Sequence, residues 1–274
     1  MSASGRQRID TLLVSKGFAE NRTRAAALVM AGKVFSGGTR VEKAGTMVRK
    51  DVHLEIRDDG DRWVSRGALK LLKGLDSFGI CPRNLVCADL GASTGGFTHV
   101  LLERGARMVY SVDVGYGQLA WSLRQDERVI VMERTNARSL TPDDFPEPPE
   151  LAAADLSFIS LRLVIPAIRR ILTPGGQAIL LVKPQFEIGK GRVGKGGVVR
   201  SKEDHEEILR EITGFIATEG GFYPAGLTFS PLRGPMGNIE YLLHAVSCGD
   251  KQQEMLPFRK VVEEAHLFFQ KEGK

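Results

Sequence analysis

The stretch Cys87-Ala-Asp89-Leu-Gly91-Ala-Ser93-Thr94-Gly95-Gly96-Phe97 decides how this chain folds. An apolar run ends in an acid, and a glycine-rich turn then opens a helical stretch at 96–104. A buried strand entering a helix through such a turn begins a βαβ unit. Three chemistries use this turn. The dinucleotide fingerprint G-x-G-x-x-G fails, because Ser93 stands where its second glycine belongs. The nucleophile elbow G-x-S-x-G is matched literally by Gly91 to Gly95. That elbow normally follows several strands of its own domain, whereas this turn follows the first, and no HGGG-type stretch precedes it. The third chemistry is S-adenosylmethionine (SAM) binding. It asks for a carboxylate near a cationic aminoacyl end and for glycines that let backbone approach the ligand. It also asks for an acid at the end of the next strand to meet ribose hydroxyls. Asp113 stands there, 22 residues after Gly91. SAM binding is the reading the residues favour, with Asp89, Gly91, Ser93, Thr94, Gly95, Gly96, Phe97 and Asp113 as candidate cofactor contacts.

Strands are expected at 85–90, 108–113, 129–132, 151–155, 178–183, 226–229 and 239–246. Helical stretches intervene, notably 96–104, 160–172 and 201–217. Ahead of them, Ser65 reads as the N-cap of a helix carrying Ala68, Leu71, Leu72 and Leu75. Strands alternating with helices predict an α/β fold with a mostly parallel, doubly wound sheet. The stretch 141–150 is a proline-rich loop, and no internal repeat is visible. Asn136, just past the third strand, is a candidate contact for an adenine. Phe158 reads as core rather than as a cofactor contact.

The N-terminal fifth differs in charge. Of 38 Lys+Arg and 33 Asp+Glu, residues 1–50 hold ten and three, a net +7, which leaves −2 for the rest. Such asymmetry suggests a nucleic-acid-binding or anionic-membrane-binding arm on a near-neutral body. A helix is expected at 8–16, with Ile9, Leu12 and Leu13 on one face and Gly17 closing it. A second begins at the N-cap Asn21, turns Ala25, Leu28 and Val29 inward and ends at Gly32. Arg22 and Arg24 occupy its first turn, the unfavourable end of the helix dipole for cations, which points to an outside anion as partner. Short strands at 33–35 and 52–56 follow, with Gly37-Gly38 as a turn and a polar linker beginning at Arg57.

Other classes are disfavoured. No apolar run approaches the roughly 20 residues of a membrane span, the longest being 25–31, and the first ten residues lack a signal-peptide core. The three cysteines, Cys81, Cys87 and Cys248, cannot all pair and lack metal-site spacing. The five histidines are scattered, so no metal is expected and a reduced, cytoplasmic setting is. The stretch from Gly189 to Gly196 nearly matches a P-loop but ends in glycine where Ser or Thr is required. It reads either as a flexible basic loop or as a loop closing over substrate phosphates.

Residues 6–57, with Arg8-Ile-Asp10, Asn21-Arg-Thr-Arg-Ala, Ala31-Gly-Lys-Val-Phe and Gly37-Gly38, resemble the ribosomal-protein-S4 type of RNA-binding domain. Five further motifs resemble the FtsJ-type ribose 2′-O-methyltransferases. These are Ser65-Arg-Gly-Ala-Leu-Lys70-Leu, the Asp89–Phe97 turn, Ala154-Asp155-Leu-Ser, Val182-Lys183-Pro-Gln-Phe-Glu and Gly237-Asn-Ile-Glu240-Tyr. In this order, behind a basic N-terminal domain, they are similar to the TlyA family. Its members are haemolysins by name and rRNA cytidine 2′-O-methyltransferases by activity.

The resemblance implies a small α+β S4-type domain at 6–57, a linker at 58–64 and a Rossmann-like SAM-dependent methyltransferase domain at 65–248. A C-terminal helical tail at 249–274 lies outside it. It implies SAM as cofactor, with Asp155 also near it, and ribosomal RNA (16S, 23S or both) or ribosomal subunits as partner. It places a catalytic Lys-Asp-Lys-Glu set on Lys70, Asp155, Lys183 and Glu240. Something must take the proton of a ribose 2′-hydroxyl as the methyl moves. A second cation and burial both disfavour a lysine's charged form, so Lys183 beside Lys70 is the expected base, while neighbouring acids oppose that effect. Arg6, Arg8, Arg22, Arg24 and Lys33 are the expected RNA contacts. Two other readings stay open here: a membrane-damaging haemolysin, and a ribosome-binding assembly factor with little catalysis.

Overall fold

The computed structural model describes residues 5–56, 62–189, 192–194, 196–247 and 256–271. Most of the linker at 58–64, Lys190, Gly191 and Lys195 of the glycine-rich loop, Cys248, and parts of the tail at 249–274 lie outside the described residues.

The N-terminal region is built from β1 (Arg6–Arg8), α1 (Ile9–Ser15), α2 (Arg22–Met30), β2 (Val34–Ser36), β3 (Thr39–Arg40), β4 (Met47–Arg49) and β5 (Leu54–Ile56). Strand β1 pairs with β4, and β2 pairs with both β3 and β5, all antiparallel. Ile9, Leu12 and Leu13 of α1 meet Ala25 and Val29 of α2 over Val34, Val41 and Leu54, a small separate core. Asn21 caps α2 by accepting the Arg24 N–H, and Gly17 and Gly32 follow the two helices with positive φ, as their end positions demand.

The rest comprises α3 (Ala68–Phe78), β6 (Val86–Leu90), α4 (Gly96–Glu103), β7 (Met108–Val112), α5 (Trp121–Arg124), β8 (Val129–Met132), β9 (Leu151–Ala154), α6 (Ile165–Ile171), β10 (Gln177–Val182), α7 (Pro184–Glu187), α8 (Lys202–Thr218), β11 (Tyr223–Phe229), β12 (Tyr241–Val246) and α9 (Phe258–Lys271). Seven strands form one sheet in the order β11-β12-β10-β9-β6-β7-β8. Five are parallel, and β12 inserts antiparallel between β10 and β11. Side chains alternate across the strands, so two apolar layers form. Leu71, Leu75, Val100 and Leu101 of α3 and α4 cover one face. Ile165, Ile168, Ile208, Ile212, Val261 and Val262 of α6, α8 and α9 cover the other. The C-terminal helix is therefore part of the main core.

Three local expectations change. Gly67, not Ser65, is the N-cap of α3. The Ser65 carbonyl accepts the Ala68 N–H at 3.2 Å in a tight turn, and the Ser65 hydroxyl packs beneath Gly96. The helix expected over 160–172 is broken into a 3₁₀ turn, Leu161–Leu163, and α6, because Pro166 fits only in a first helical turn. Phe158 is not core: it is 91% exposed with φ of 65°.

Candidate active site

The strand order reverses between β6 and β9, and there the loops leaving the carboxyl ends of neighbouring strands diverge and open a crevice. A cavity of about 230 Å³ lies in it. Asp89, Gly91, Ala92, Ser93, Thr94, Gly96 and Phe97 form one wall, and Lys70, Asp155, Ser157 and Lys183 another. Val29, Met30, Gly32, Arg40, Val41 and Glu42 of the N-terminal region close a third side.

The glycines of the turn serve the chain's own packing. A Cβ on Gly91 would lie 2.5 Å from the Asp155 carbonyl oxygen, and one on Gly96 would lie 2.3 Å from the Ser65 hydroxyl. Their first task is to let the ends of β6 and β9, and the starts of α3 and α4, approach. Asp89 is fully buried. One of its oxygens accepts from the backbone and hydroxyl of Thr98, at 2.8 and 2.7 Å, while Oδ1 has no partner among the described residues. Burial pushes its pKa up to about 7 against those two bonds. Asp113 holds the turn by accepting from the Ser93 N–H at 2.8 Å and the Gly115 N–H at 2.7 Å.

The four residues of the Lys-Asp-Lys-Glu set come together. Lys70 lies on α3, Asp155 just past β9, Lys183 just past β10 and Glu240 just before β12. Lys70 Nζ donates to Glu240 at 2.7 Å and sits 3.5 Å from Asp155. Lys183 Nζ lies 2.5 Å from the other Asp155 oxygen and donates to the Ser157 hydroxyl at 2.9 Å. Asp155 thus bridges two buried ammonium groups. Burial alone would lower Lys70, but Asp155 and Glu240 outweigh it and hold this lysine charged. Burial would raise Asp155, yet Lys183 and then Lys70 bring it down to about 2. The two lysines are not equivalent: Lys70 answers to two carboxylates, Lys183 to one carboxylate and one hydroxyl. Glu240 is completely buried behind the cavity, and among the described residues its Oε1 has no partner.

Gly95, Asp113 and Asn136 do not line the cavity. Asn136 is exposed and uses its side-chain oxygen to cap the 3₁₀ turn Ala137–Ser139. Ser157 and Thr98 hold site atoms, and the sequence marked them only by their places beside Asp155 and Phe97. Arg40 and Arg233 also reach the cavity with no local pattern to single them out, and Arg66 reaches it from within the Ser65–Leu71 motif.

Among the expected RNA contacts, Arg8 and Arg22 are brought together. The Arg8 fork binds buried Asp10 at 3.1 and 2.7 Å, and Arg22 binds the same carboxylate at 3.1 Å. Hydrogen bonds from Arg8, foremost, hold Asp10 well below the usual carboxylate range. Arg6 precedes Arg8 on β1 by two residues, hence on the same side, and Arg24 is exposed on α2. Lys33 stands apart, beyond the far end of α2, about 12 Å along the helix from Arg22. Among the described residues, no helix is long and apolar enough to cross a membrane, and no three metal-ligating side chains cluster.

Residues 63–246 match the FtsJ-like methyltransferase family, and residues 7–54 match the S4 domain. A Mycobacterium tuberculosis protein named 16S/23S rRNA (cytidine-2′-O)-methyltransferase TlyA is 49% identical over 87% of this chain and 89% of its own. YqxC of Bacillus subtilis, provisionally named an rRNA methyltransferase, is 48% identical over 96% and 95%. A solved structure from Streptococcus thermophilus that carries a hemolysin name superposes with a TM-score of 0.78. It is 44% identical and covers 99% of each chain.

Proposed function

We propose, on the premise that this chain belongs to the FtsJ-like methyltransferase family, that it transfers a methyl group from SAM to a cytidine ribose 2′-hydroxyl of ribosomal RNA. Residues 6–57 would hold the RNA, residues 65–248 would carry the chemistry, and one or both of 16S and 23S rRNA would be the substrate. The observation that carries the reading is the set Lys70, Asp155, Lys183 and Glu240, gathered from four elements under the Gly91–Phe97 turn, with Lys70, Asp155 and Lys183 on the cavity wall and Glu240 buried behind it.

The residues present fit SAM. Asp89 lines the cavity, and among the described residues its buried Oδ1 has no partner; a carboxylate there asks for a cationic partner such as an α-ammonium group. Asp113, next along the sheet, retains lone pairs for ribose hydroxyls beside its two backbone bonds. When bound, SAM supplies the electrophilic methyl.

The chain's own residues then divide the work. Lys70, kept protonated by two carboxylates, is a fixed cation beside Lys183. Asp155 holds Lys183 in place and orients it. Lys183, with the lighter anionic partnership, is the lysine placed to take the proton from the 2′-hydroxyl. Phe158, exposed three residues after Asp155 with positive φ, offers an aromatic face to a base beside the site. Arg8 and Arg22, aimed by Asp10, would meet phosphates.

Tritiated-methyl transfer to purified ribosomal subunits, followed by mapping of 2′-O-methylated nucleotides, tests the reading. Label on a cytidine ribose is expected, and label absent from RNA overturns it.

A further inference from the structure

Asn238 stands two residues before Glu240 and is completely buried. Its side-chain oxygen accepts the Val199 N–H at 2.9 Å, and its side-chain nitrogen donates to the Gly197 carbonyl at 2.9 Å. Its own carbonyl accepts the Gly234 N–H at 2.9 Å. One residue past Glu240, the Tyr241 hydroxyl lies 2.7 Å from Nδ1 of buried His205, whose Nε2 lies 3.1 Å from the Val199 carbonyl. A carbonyl can only accept, so Nε2 carries the proton and Tyr241 donates to Nδ1. Val199 is therefore gripped at its N–H by the residue two before Glu240, and at its carbonyl through the residue one after. On the other flank, a Cβ on Gly234 would lie 2.4 Å from Glu240 Oε1, so the 231–237 turn presses directly on the carboxylate. Asn238 ties that turn, the 197–199 segment and the entry to β12 together around one buried acid.

We propose that Asn238 is a positioning residue for the catalytic set: by pinning Gly197, Val199 and Gly234 it holds Glu240 against Lys70. The proposal rests on the methyltransferase reading and gives the segment that follows the Gly189–Gly196 stretch a structural task. Asn238 touches neither cavity nor ligand. Among the described residues Glu240 has one side-chain partner, Lys70, and is held otherwise by backbone and by this packing. A wrongly aimed Glu240 would leave Lys70 with Asp155 alone, and Asp155 would be drawn from Lys183.

Two readouts test this. In Asn238→Ala, shown folded by its melting curve, single-turnover methyl transfer is expected to fall about 10–100-fold, the cost of a small misplacement in a positioned site. SAM and RNA dissociation constants should stay within about twofold. Independently of activity, the Lys70 ammonium, followed by NMR with labelled lysine, should titrate closer to the ordinary lysine value, because a carboxylate has left it. Asn238→Asp keeps the acceptor for Val199 but sets a second oxygen against the Gly197 carbonyl, so it too should lose rate. If Asn238→Ala does not fold, Asn238→Asp decides. A wild-type rate in whichever variant is measured, an unmoved Lys70 titration, or rate and SAM affinity falling together with the folded fraction would overturn the proposal. If the wild-type protein labels no RNA, the functional reading fails instead, and the Lys70 titration still judges Asn238.

Discussion

Near the N-terminus a single buried acid, Asp10, holds two exposed arginines; at the switch point of the large sheet two acids, Asp155 and Glu240, hold two buried lysines. The residue classes are the same and the physics differs. Arg8 and Arg22 face water, so their charge is screened and remains available to an outside anion. Lys70 and Lys183 have given up water, so each depends on its partners, and removing one strands the others. Substitutions in the first region should act as separable contributions to affinity. Those in the second should act as a unit on rate.

The largest effect that contrast predicts is at Lys183. Lys183→Ala should fold, bind SAM and RNA, and lose about 10²–10⁴ in single-turnover transfer, the usual worth of a general base. The double variant with Lys70→Ala should be little worse than either single, since members of one unit are not additive. A near wild-type rate, or a double variant showing the product of both losses, breaks the comparison.

Arginine sharpens it. Arg keeps a charge but cannot release a proton at working pH. Lys183→Arg should be as inactive as Lys183→Ala, while Lys70→Arg should retain clearly more activity than Lys70→Ala because a cation is all that site asks for. Equal rescue at both positions would erase the distinction drawn between the lysines.

Next in size is the cofactor wall. Asp89→Ala and Asp113→Ala should each weaken SAM binding by about 10–150-fold, from the roughly 1.5–3 kcal/mol of a charged hydrogen bond. Asp89 also carries a pH signature. Its pKa near 7 in the free protein, against an ordinary value near 4, means folding takes up a proton between those limits. The Asp89 contribution to stability therefore falls as pH rises from about 4 to about 7. A bound cation reverses the preference, so SAM binding near pH 7 should release a fraction of a proton, on the order of one half. Calorimetry in buffers of different ionisation enthalpy reads it, and Asp89→Asn should abolish it.

The smallest effects belong to the arm. Arg22→Ala and Arg24→Ala should each flatten log K against log[salt] for RNA binding by about 0.9, using the duplex DNA coefficient, with SAM affinity unchanged. Filter binding across a salt series checks this, and an unchanged slope would show that these arginines are not the anchor.

The strands of the large sheet were readable because parallel strands buried on both faces appear as short apolar runs bounded by turn residues, as at 86–90 and 178–182. β1 and β4 were not, since three-residue strands with exposed ends are too short to show a pattern. Lys70 and Glu240 lie 170 residues apart, so nothing local joins them; only the order of motifs did. Phe158 misled because aromatic character argues for burial, while its left-handed backbone turns it outward. The tasks of Ser157, Thr98 and Asn238 depend on which backbone happens to lie opposite, and a linear pattern does not record that.

The late entry of β12 has a consequence for when the lysine pair gains its full set of partners. This strand fills the slot between β10 and β11, and the residue just before it supplies the second acid to Lys70. Until the chain beyond residue 240 has been made and threaded into that slot, β10 is a bare edge and the lysine pair has one carboxylate to share. Closing a contact over 170 residues is among the entropically costlier steps this chain must take. Folding order thus leaves the lysine pair one carboxylate short until the sheet is complete.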